Sequence, residues 1–274
     1  MVKVGVVMMA LLVGSAAIAA EPWPLGVRIM SYGKYQDGAW AHLQKIGVKH
    51  VFISVPTAEE ADGVMAKLKQ YGLDTPVVRG QADLSNDAFA DELEPQLAVA
   101  EKLGEKYMFL SAKRGESPKE DAYRRLREAG VMAEEYGVVI TMETHPDLGM
   151  NGDVQVETMK AVNHPNVGVN FDTGNITFYN KGTTAANELK KSIEYVRTVE
   201  FKDHSGVPEG WDFPVLGTGK TDFKSVAAVL KEHGYAGPVT IEFEGTKGVE
   251  FTEEQTLKAI ADSVAYVRSL GSFD

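Results

Sequence analysis

The sequence predicts a single-domain (β/α)8 TIM barrel. Three observations carry this. Eight short runs rich in Val, Ile, Phe and Tyr alternate with longer amphipathic stretches. The stretch from Glu21 onward has the length of one such barrel. The first run leads into Ser31-Tyr32-Gly33-Lys34-Tyr35, which lacks the glycine-rich turn of a doubly wound open sheet.

The strand runs are Gly26–Met30, His50–Ser54, Pro76–Arg79, Tyr107–Ser111, Val138–Glu143, Val167–Asp172, Thr198–Lys202 and Val239–Phe243. Between them, apolar residues fall at helical spacing. Trp40, Leu43 and Ile46 mark one helix, and Met65, Leu68 and Tyr71 a second. Phe89, Leu93, Leu97 and Ala100 mark a third; Tyr123, Leu126, Ala129, Met132 and Ala133 a fourth. Two more run over about Asp222–His233 and Glu253–Leu270. Gly47, Gly72, Gly104, Gly137 and Gly234 stand where helices stop. Ser117-Pro118 and Thr221-Asp222 read as helix starts. No linker or low-complexity block divides the chain, so residues 21–274 are expected to form one domain.

Residues 1–20 read as a signal peptide rather than fold. Lys3 precedes an uncharged, mostly apolar run from Val4 to Ala20, and Ala17-Ile18-Ala19 offers a small-x-small cleavage site. The run is short of the roughly 20 apolar residues needed to span a bilayer, so no stable membrane insertion is expected after cleavage. The protein is therefore expected to be exported, periplasmic or secreted. The absence of Cys excludes a disulfide scaffold, a thiolate metal site and a Cys nucleophile. The net charge is −11 over 274 residues, which argues against nucleic acid as a partner. It suits a cation and a small carbohydrate-like substrate, and homo-oligomerisation is left open.

The chemistry lies at the ends of the last four strand runs. Met142-Glu143, Phe171-Asp172, Val199-Glu200 and Ile241-Glu242 each place an acid after a large apolar residue. Side chains alternate along a strand, so each apolar residue packs outward on the helices and each acid faces the barrel lumen. Thr141, Asn170, Thr198 and Thr240 form a polar layer beneath them. Neighbouring strands are about 4.8 Å apart, so the four acids come within reach of one ion. Carboxylates crowded this closely must take up protons or share a cation. All-oxygen ligation favours a hard divalent ion, Mn²⁺ or Mg²⁺, over Zn²⁺. Taken singly, each acid is also explained as a helix cap or a solvated side chain.

At these residues the sequence resembles the xylose isomerase-like TIM barrel superfamily, the sugar phosphate isomerases/epimerases. The matching pieces are Glu143-Thr144-His145-Pro146, Asn170-Phe171-Asp172-Thr173-Gly174-Asn175, Phe201-Lys202-Asp203, Leu216-Gly217-Thr218-Gly219 with Asp222-Phe223, and Thr240-Ile241-Glu242. The resemblance implies a divalent metal held by Glu, Asp, His and Glu. Those positions fall on Glu143, Asp172, residue 200 and Glu242. Residue 200 departs from the pattern, because Glu200 stands where the family has His. The resemblance also gives Glu143 and Glu242 the proton transfers, and includes His145 in its first motif. Asn175 lies near where some relatives keep a substrate-contacting His.

Other candidates rest on position. Lys202, two residues past Glu200, either stabilises an oxyanion or offsets the acids. His204 is a loop residue open to a substrate role, and Trp211 with Phe213 either stacks on a sugar or packs over the rim. Gly217-Thr218-Gly219-Lys220 lacks full phosphate-loop spacing and reads first as a tight turn, with a phosphate site as the lesser alternative. The expected function is an exported, metal-dependent isomerase or epimerase of a sugar, keto-sugar or cyclitol. The alternatives are a keto-sugar lyase or dehydratase using the same site, and a non-catalytic carbohydrate-binding barrel.

Overall fold

The computed structural model describes residues 21–271 and 273–274; the expected signal peptide, residues 1–20, lies outside them. Eight parallel strands close into a barrel in the order β1 (Leu25–Arg28), β2 (His50–Ser54), β3 (Val77–Arg79), β4 (Tyr107–Leu110), β5 (Val139–Glu143), β6 (Val167–Asp172), β7 (Val196–Phe201) and β9 (Val239–Ile241), with β9 pairing back to β1. Every expected strand is present, with ends shifted by two residues at most. Two further two-residue strands, β8 (Asp212–Phe213) and β10 (Gly245–Thr246), pair antiparallel over the carboxyl-terminal mouth. Among the described residues, no helix is long and apolar enough to cross a membrane.

Six helices form where the sequence places them, and three more, over Gly152–Val162, Thr173–Tyr179 and Ala185–Ser192, were not anticipated. They are α1 (Gln36–Lys45), α2 (Ala61–Tyr71), α3 (Phe89–Leu103), α4 (Lys119–Glu135), α5 (Gly152–Val162), α6 (Thr173–Tyr179), α7 (Ala185–Ser192), α8 (Phe223–Glu232) and α9 (Glu253–Ser269). Gly72 and Gly104 cap α2 and α3 in the left-handed conformation, which glycine adopts without a Cβ penalty. Asp222 caps α8 by accepting the Ser225 N–H, as its position implied. The expected Ser117 cap is not made. Pro118 takes the cap position of α4, and the Ser117 hydroxyl donates instead to the Ser85 carbonyl at 3.2 Å.

Two features of the barrel position the site. The first is a bulge in β7. Val169 of β6 pairs with Val196, but Asn170 pairs with Thr198, so Arg197 is an extra residue. Without it, strict alternation from outward-facing Val196 would turn Thr198 and Glu200 away from the lumen. The second is the division of the lumen. Phe52, Val77 and Phe109 fill the side made by β2–β4 with an apolar cluster. The side made by β5–β9 carries the polar layer, where the Thr198 hydroxyl meets Asn170 Oδ1 at 2.6 Å and Thr141 Oγ1 at 3.2 Å.

At the opposite end of the barrel, the first residues of β1 and β2 are tied by Asp274 and Asp74. Asp274 accepts the Leu25 N–H at 3.0 Å and meets His50 Nε2, whose other ring nitrogen meets Asp74. Glu105, just before β4, is buried beside this group and has no ion-pair partner among the described residues. Burial, with Asp74 adding repulsion, pushes its carboxyl up to about 8. A carboxyl raised in the folded state costs nothing below its unfolded value and progressively destabilises as pH climbs to the folded one. Glu105 is therefore expected to contribute a fall in stability of a few kcal/mol between about pH 4.5 and 8, and Glu105→Gln to make the pH dependence shallower by that amount. Thermal midpoints of both proteins across this range check it.

Candidate active site

The carboxylates of Glu143, Asp172, Glu200 and Glu242 each offer an oxygen, and these oxygens all lie within 4.8 Å of one another. Strand register produces this. Asp172 pairs directly with Glu200, while Glu143 pairs with Asn170 and Glu200 with Thr240, so Asp172 and Glu242 each stand two residues past those partners, the stagger by which tilted strands bring side chains to one level of a closed barrel. Asp172 and Glu200 are fully buried, Glu242 is nearly so and Glu143 is half-buried. Asp172 also caps α6, accepting the N–H groups of Gly174 and Asn175 on Oδ1 at 2.8 and 2.9 Å. Its buried Oδ2 has no hydrogen-bond partner among the described residues.

Two cations enter the cluster. Lys202 is the expected one, and of its two readings the structure supports charge compensation. Its Nζ lies 2.9 Å from Glu242, 2.6 Å from Glu244 and 3.8 Å from Asp172, over the face of Phe213 at 4.2 Å. Arg28, at the end of β1, was not anticipated. Its Nη1 lies 2.5 Å from Glu242 and 3.2 Å from Glu200. Burial opposes both positive charges, but the surrounding carboxylates outweigh it and hold both cations above their ordinary range. Burial acts on the acids too and raises Asp172 and Glu200. Burial alone would also raise Glu242, but Lys202 and Arg28 hold it below the usual range, so it stays ionised.

These carboxylates, with Glu244 beside them on Lys202, outnumber the two cations in contact with them, and burial pushes Asp172 and Glu200 toward their neutral forms. A divalent ion would favour the ionised forms and offset the surplus charge, and Asp172 Oδ2, which has no hydrogen bond, offers a lone pair toward it. The donor set is all oxygen, which suits a hard cation. The cluster could therefore hold a divalent metal.

The other expected site residues divide. His145 stands beside Glu143 in a cavity of 210 Å³ at the mouth, its Nε2 3.0 Å from the Tyr179 hydroxyl. Trp211 is 48% exposed and forms one wall of a 470 Å³ cavity that Glu242, Glu244, Tyr35 and Phe251 also line. Asn175 is buried under the acids and is not open to a ligand. Its Nδ2 donates to the Thr144 carbonyl at 3.0 Å and reaches Glu143 at 3.5 Å, while its Oδ1 accepts from Lys202 at 3.3 Å.

His204 also departs from expectation. It is fully buried, with Nδ1 2.8 Å from the Thr177 hydroxyl and Nε2 3.1 Å from the Gly210 carbonyl, so both nitrogens are spent holding the loop before β8. Burial lowers its pKa, in keeping with a neutral ring. The Gly217–Lys220 segment is a tight turn and not a phosphate site. Asp203 fills its cradle, accepting the N–H groups of Gly217, Gly219 and Thr221 at 2.9, 2.8 and 3.1 Å. A Cβ on Gly219 would come within 2.3 Å of the Asp203 carboxylate, which is why glycine stands there.

Three mouth residues escaped the sequence reading: Arg28, Glu244 and Arg79. Each lies on the lumen parity of its strand or two residues beyond it. A charged residue inside an apolar strand run was the signal for Arg28 and Arg79.

With the geometry in place, comparison with known proteins is informative. Residues 40–270 match the family model described as xylose isomerase-like TIM barrel. The chain belongs to that family. A xylose isomerase domain protein from Planctomyces limnophilus superposes with a TM-score of 0.75 at 24% identity, covering 91% of this chain and 97% of that one. A D-psicose 3-epimerase from Clostridium cellulolyticum H10, crystallised with D-tagatose, gives a TM-score of 0.73 at 15% identity, covering 90% and 99%. At these identities the likeness speaks to the fold. In sequence, an inosose isomerase of Halalkalibacterium halodurans is 26% identical over 151 residues, 53% of each chain. An inosose dehydratase of Lacticaseibacillus casei is 28% identical over 149 residues, 49% of this chain and 50% of that one. The chain thus spans about half the length of the curated relatives it matches.

Proposed function

We propose that this family member is a divalent-metal-dependent isomerase or epimerase of a sugar, keto-sugar or cyclitol. The observation that carries the reading is the ring of four carboxylates, one oxygen of each within 4.8 Å of the others, with an Asp172 oxygen that makes no hydrogen bond. The inosose and sugar enzymes among its relatives support the substrate class. An ion would be held within the cluster formed by Glu143, Asp172, Glu200 and Glu242. Mn²⁺ or Mg²⁺, once bound, supplies Lewis-acid polarisation of a carbonyl and its neighbouring hydroxyl.

The chain's own residues supply the rest. Glu242, kept ionised by Lys202 and Arg28, is ready to take a proton from the carbon beside a carbonyl. Glu143, half-buried at the other side of the cluster, exchanges the second proton on that carbon or its neighbour. His145, held by Tyr179, stands beside Glu143 to bind a substrate hydroxyl. The indole of Trp211 closes the larger cavity and keeps bulk water off the reacting carbon. Trp211→Ala is expected to raise KM about 10-fold with kcat changed less, measured on the preferred substrate.

A dehydratase acting through the same proton abstraction is the second reading, favoured by the inosose dehydratase among the relatives. One experiment separates them. Metal-stripped enzyme reloaded with Mn²⁺ is incubated with a panel of free sugars, keto-sugars and cyclitols in D₂O. An isomerase or epimerase incorporates solvent deuterium and returns an isomer; a dehydratase releases water. Sugar binding with no exchange, no product and no metal dependence would leave a carbohydrate-binding barrel. Export remains part of the proposal, on the apolar run before Glu21. A mature protein whose mass begins at Glu21 supports it, and an intact Met1 form overturns it.

A further inference from the structure

Arg28 is the one cation of this site placed on its floor. Its guanidinium carbon sits 5.2 Å from the centre of the Phe52 ring and 5.0 Å from that of Phe109, so its back is against the apolar half of the lumen. Only 4% of the residue is exposed. Its polar contacts among the described residues are carboxylates, Glu200 and Glu242. A guanidinium on an apolar bed has no water to fall back on, so it is fixed by those carboxylates.

The two acids are not equivalent. Arg28 approaches Glu242 more closely, at 2.5 Å, but Glu242 is shared with Lys202 and lines the 470 Å³ mouth cavity, so of the two it is the acid a ligand can reach. Glu200 has no exposure, and both its oxygens lie on Arg28 Nη1, at 3.2 and 3.3 Å. Arg28 is its one cationic partner among the described residues. Glu143, by contrast, faces a mouth cavity, and Asp172 keeps an oxygen that makes no hydrogen bond and sees Lys202 only at 3.8 Å.

We propose that Arg28 is a resident cation of the acid cluster, which claims Glu200 as its counter-ion and leaves Glu143, Asp172 and Glu242 as the ligands open to a divalent ion. Arg28 is thus a positioning residue. It sets which carboxylates are free, and it lets the barrel hold its acids together before any ion arrives. The ligand half of this inference rests on the metal-dependent reading above; the Arg28–Glu200 pair does not.

The test uses wild type, Arg28→Met, Glu200→Gln, the double variant and Asp172→Asn, all as full mature chains. Metal-free thermal unfolding reads the pair. Arg28→Met strands buried Glu200 and is expected to lower the midpoint by about 10 °C, and the double variant to recover at least half of that. An Arg28→Met protein that fails to fold while the double variant folds makes the same point more strongly. Calorimetric titration with Mn²⁺ reads the ligand set. Glu200→Gln is expected to keep Kd within about 3-fold of wild type, while Asp172→Asn weakens it more than about 10-fold. Glu200→Gln weakening as much as Asp172→Asn would overturn the assignment, as would additive effects of the two substitutions on the metal-free midpoint. Absence of Mn²⁺ binding in wild type would overturn the metal-dependent reading and the ligand half of this one, while the coupling still decides the pair.

Discussion

Glu143→Gln is expected to lower turnover by about 1,000-fold while leaving the thermal midpoint within about 2 °C of wild type. The amide is isosteric with the carboxylate and keeps an oxygen for Asn175 Nδ2, the neighbour that reaches it. What it loses is the capacity to exchange a proton, and one negative charge facing the mouth. Because the residue is half-buried, little stability depends on it. Steady-state rates with the substrate found in the exchange experiment, together with a thermal melt, check both halves. A variant retaining more than about a tenth of the activity would remove Glu143 from the chemistry.

The second large effect is on stability. Asp203→Ala is expected to cost about 3–5 kcal/mol, lowering the thermal midpoint by about 10 °C or more. Asp203 is buried, and its carboxylate accepts the backbone N–H groups of His204, Gly217, Gly219 and Thr221. Removing it leaves those donors without partners, in a turn that packs against it too closely to be refilled by anything larger than water. The loop it ties runs past Trp211, so KM should rise in the same variant. Asp203→Asn, which keeps one acceptor oxygen, should fall between the two. A midpoint within about 2 °C of wild type for Asp203→Ala would contradict this account of the turn.

Much of this site was readable from the strands alone. Ile140-Thr141-Met142-Glu143 and Val169-Asn170-Phe171-Asp172 alternate so regularly that parity alone assigns acids and polar layer to the lumen. For β7 the same argument gives the right answer through a hidden step. The extra residue at Arg197 restores the parity, and a bulge depends on pairing that no local pattern reveals. Arg28 shares the parity of Gly26 on β1 and follows from the same logic, but a lone cation on the first strand has no legible partner until the barrel closes β1 onto β9. His204 and Asn175 show the limit of motif position. Their neighbours in sequence allow exposure, and contacts from residues far along the chain, Thr177 with Gly210 and Thr144 with Lys202, decide otherwise. The Gly217–Lys220 turn illustrates a different gap. Its N–H groups do form an anion cradle, and the anion is the chain's own Asp203.

The central claim is that these barrel carboxylates gather around one divalent cation. Crystals of the protein soaked in Mn²⁺ and measured for anomalous scattering at the manganese edge test it directly. The account predicts a single strong peak per chain bounded by Glu143, Asp172 and Glu242, lost in Asp172→Asn crystals of the same form. Well-diffracting crystals with no peak in the acid cluster at millimolar Mn²⁺ would contradict it.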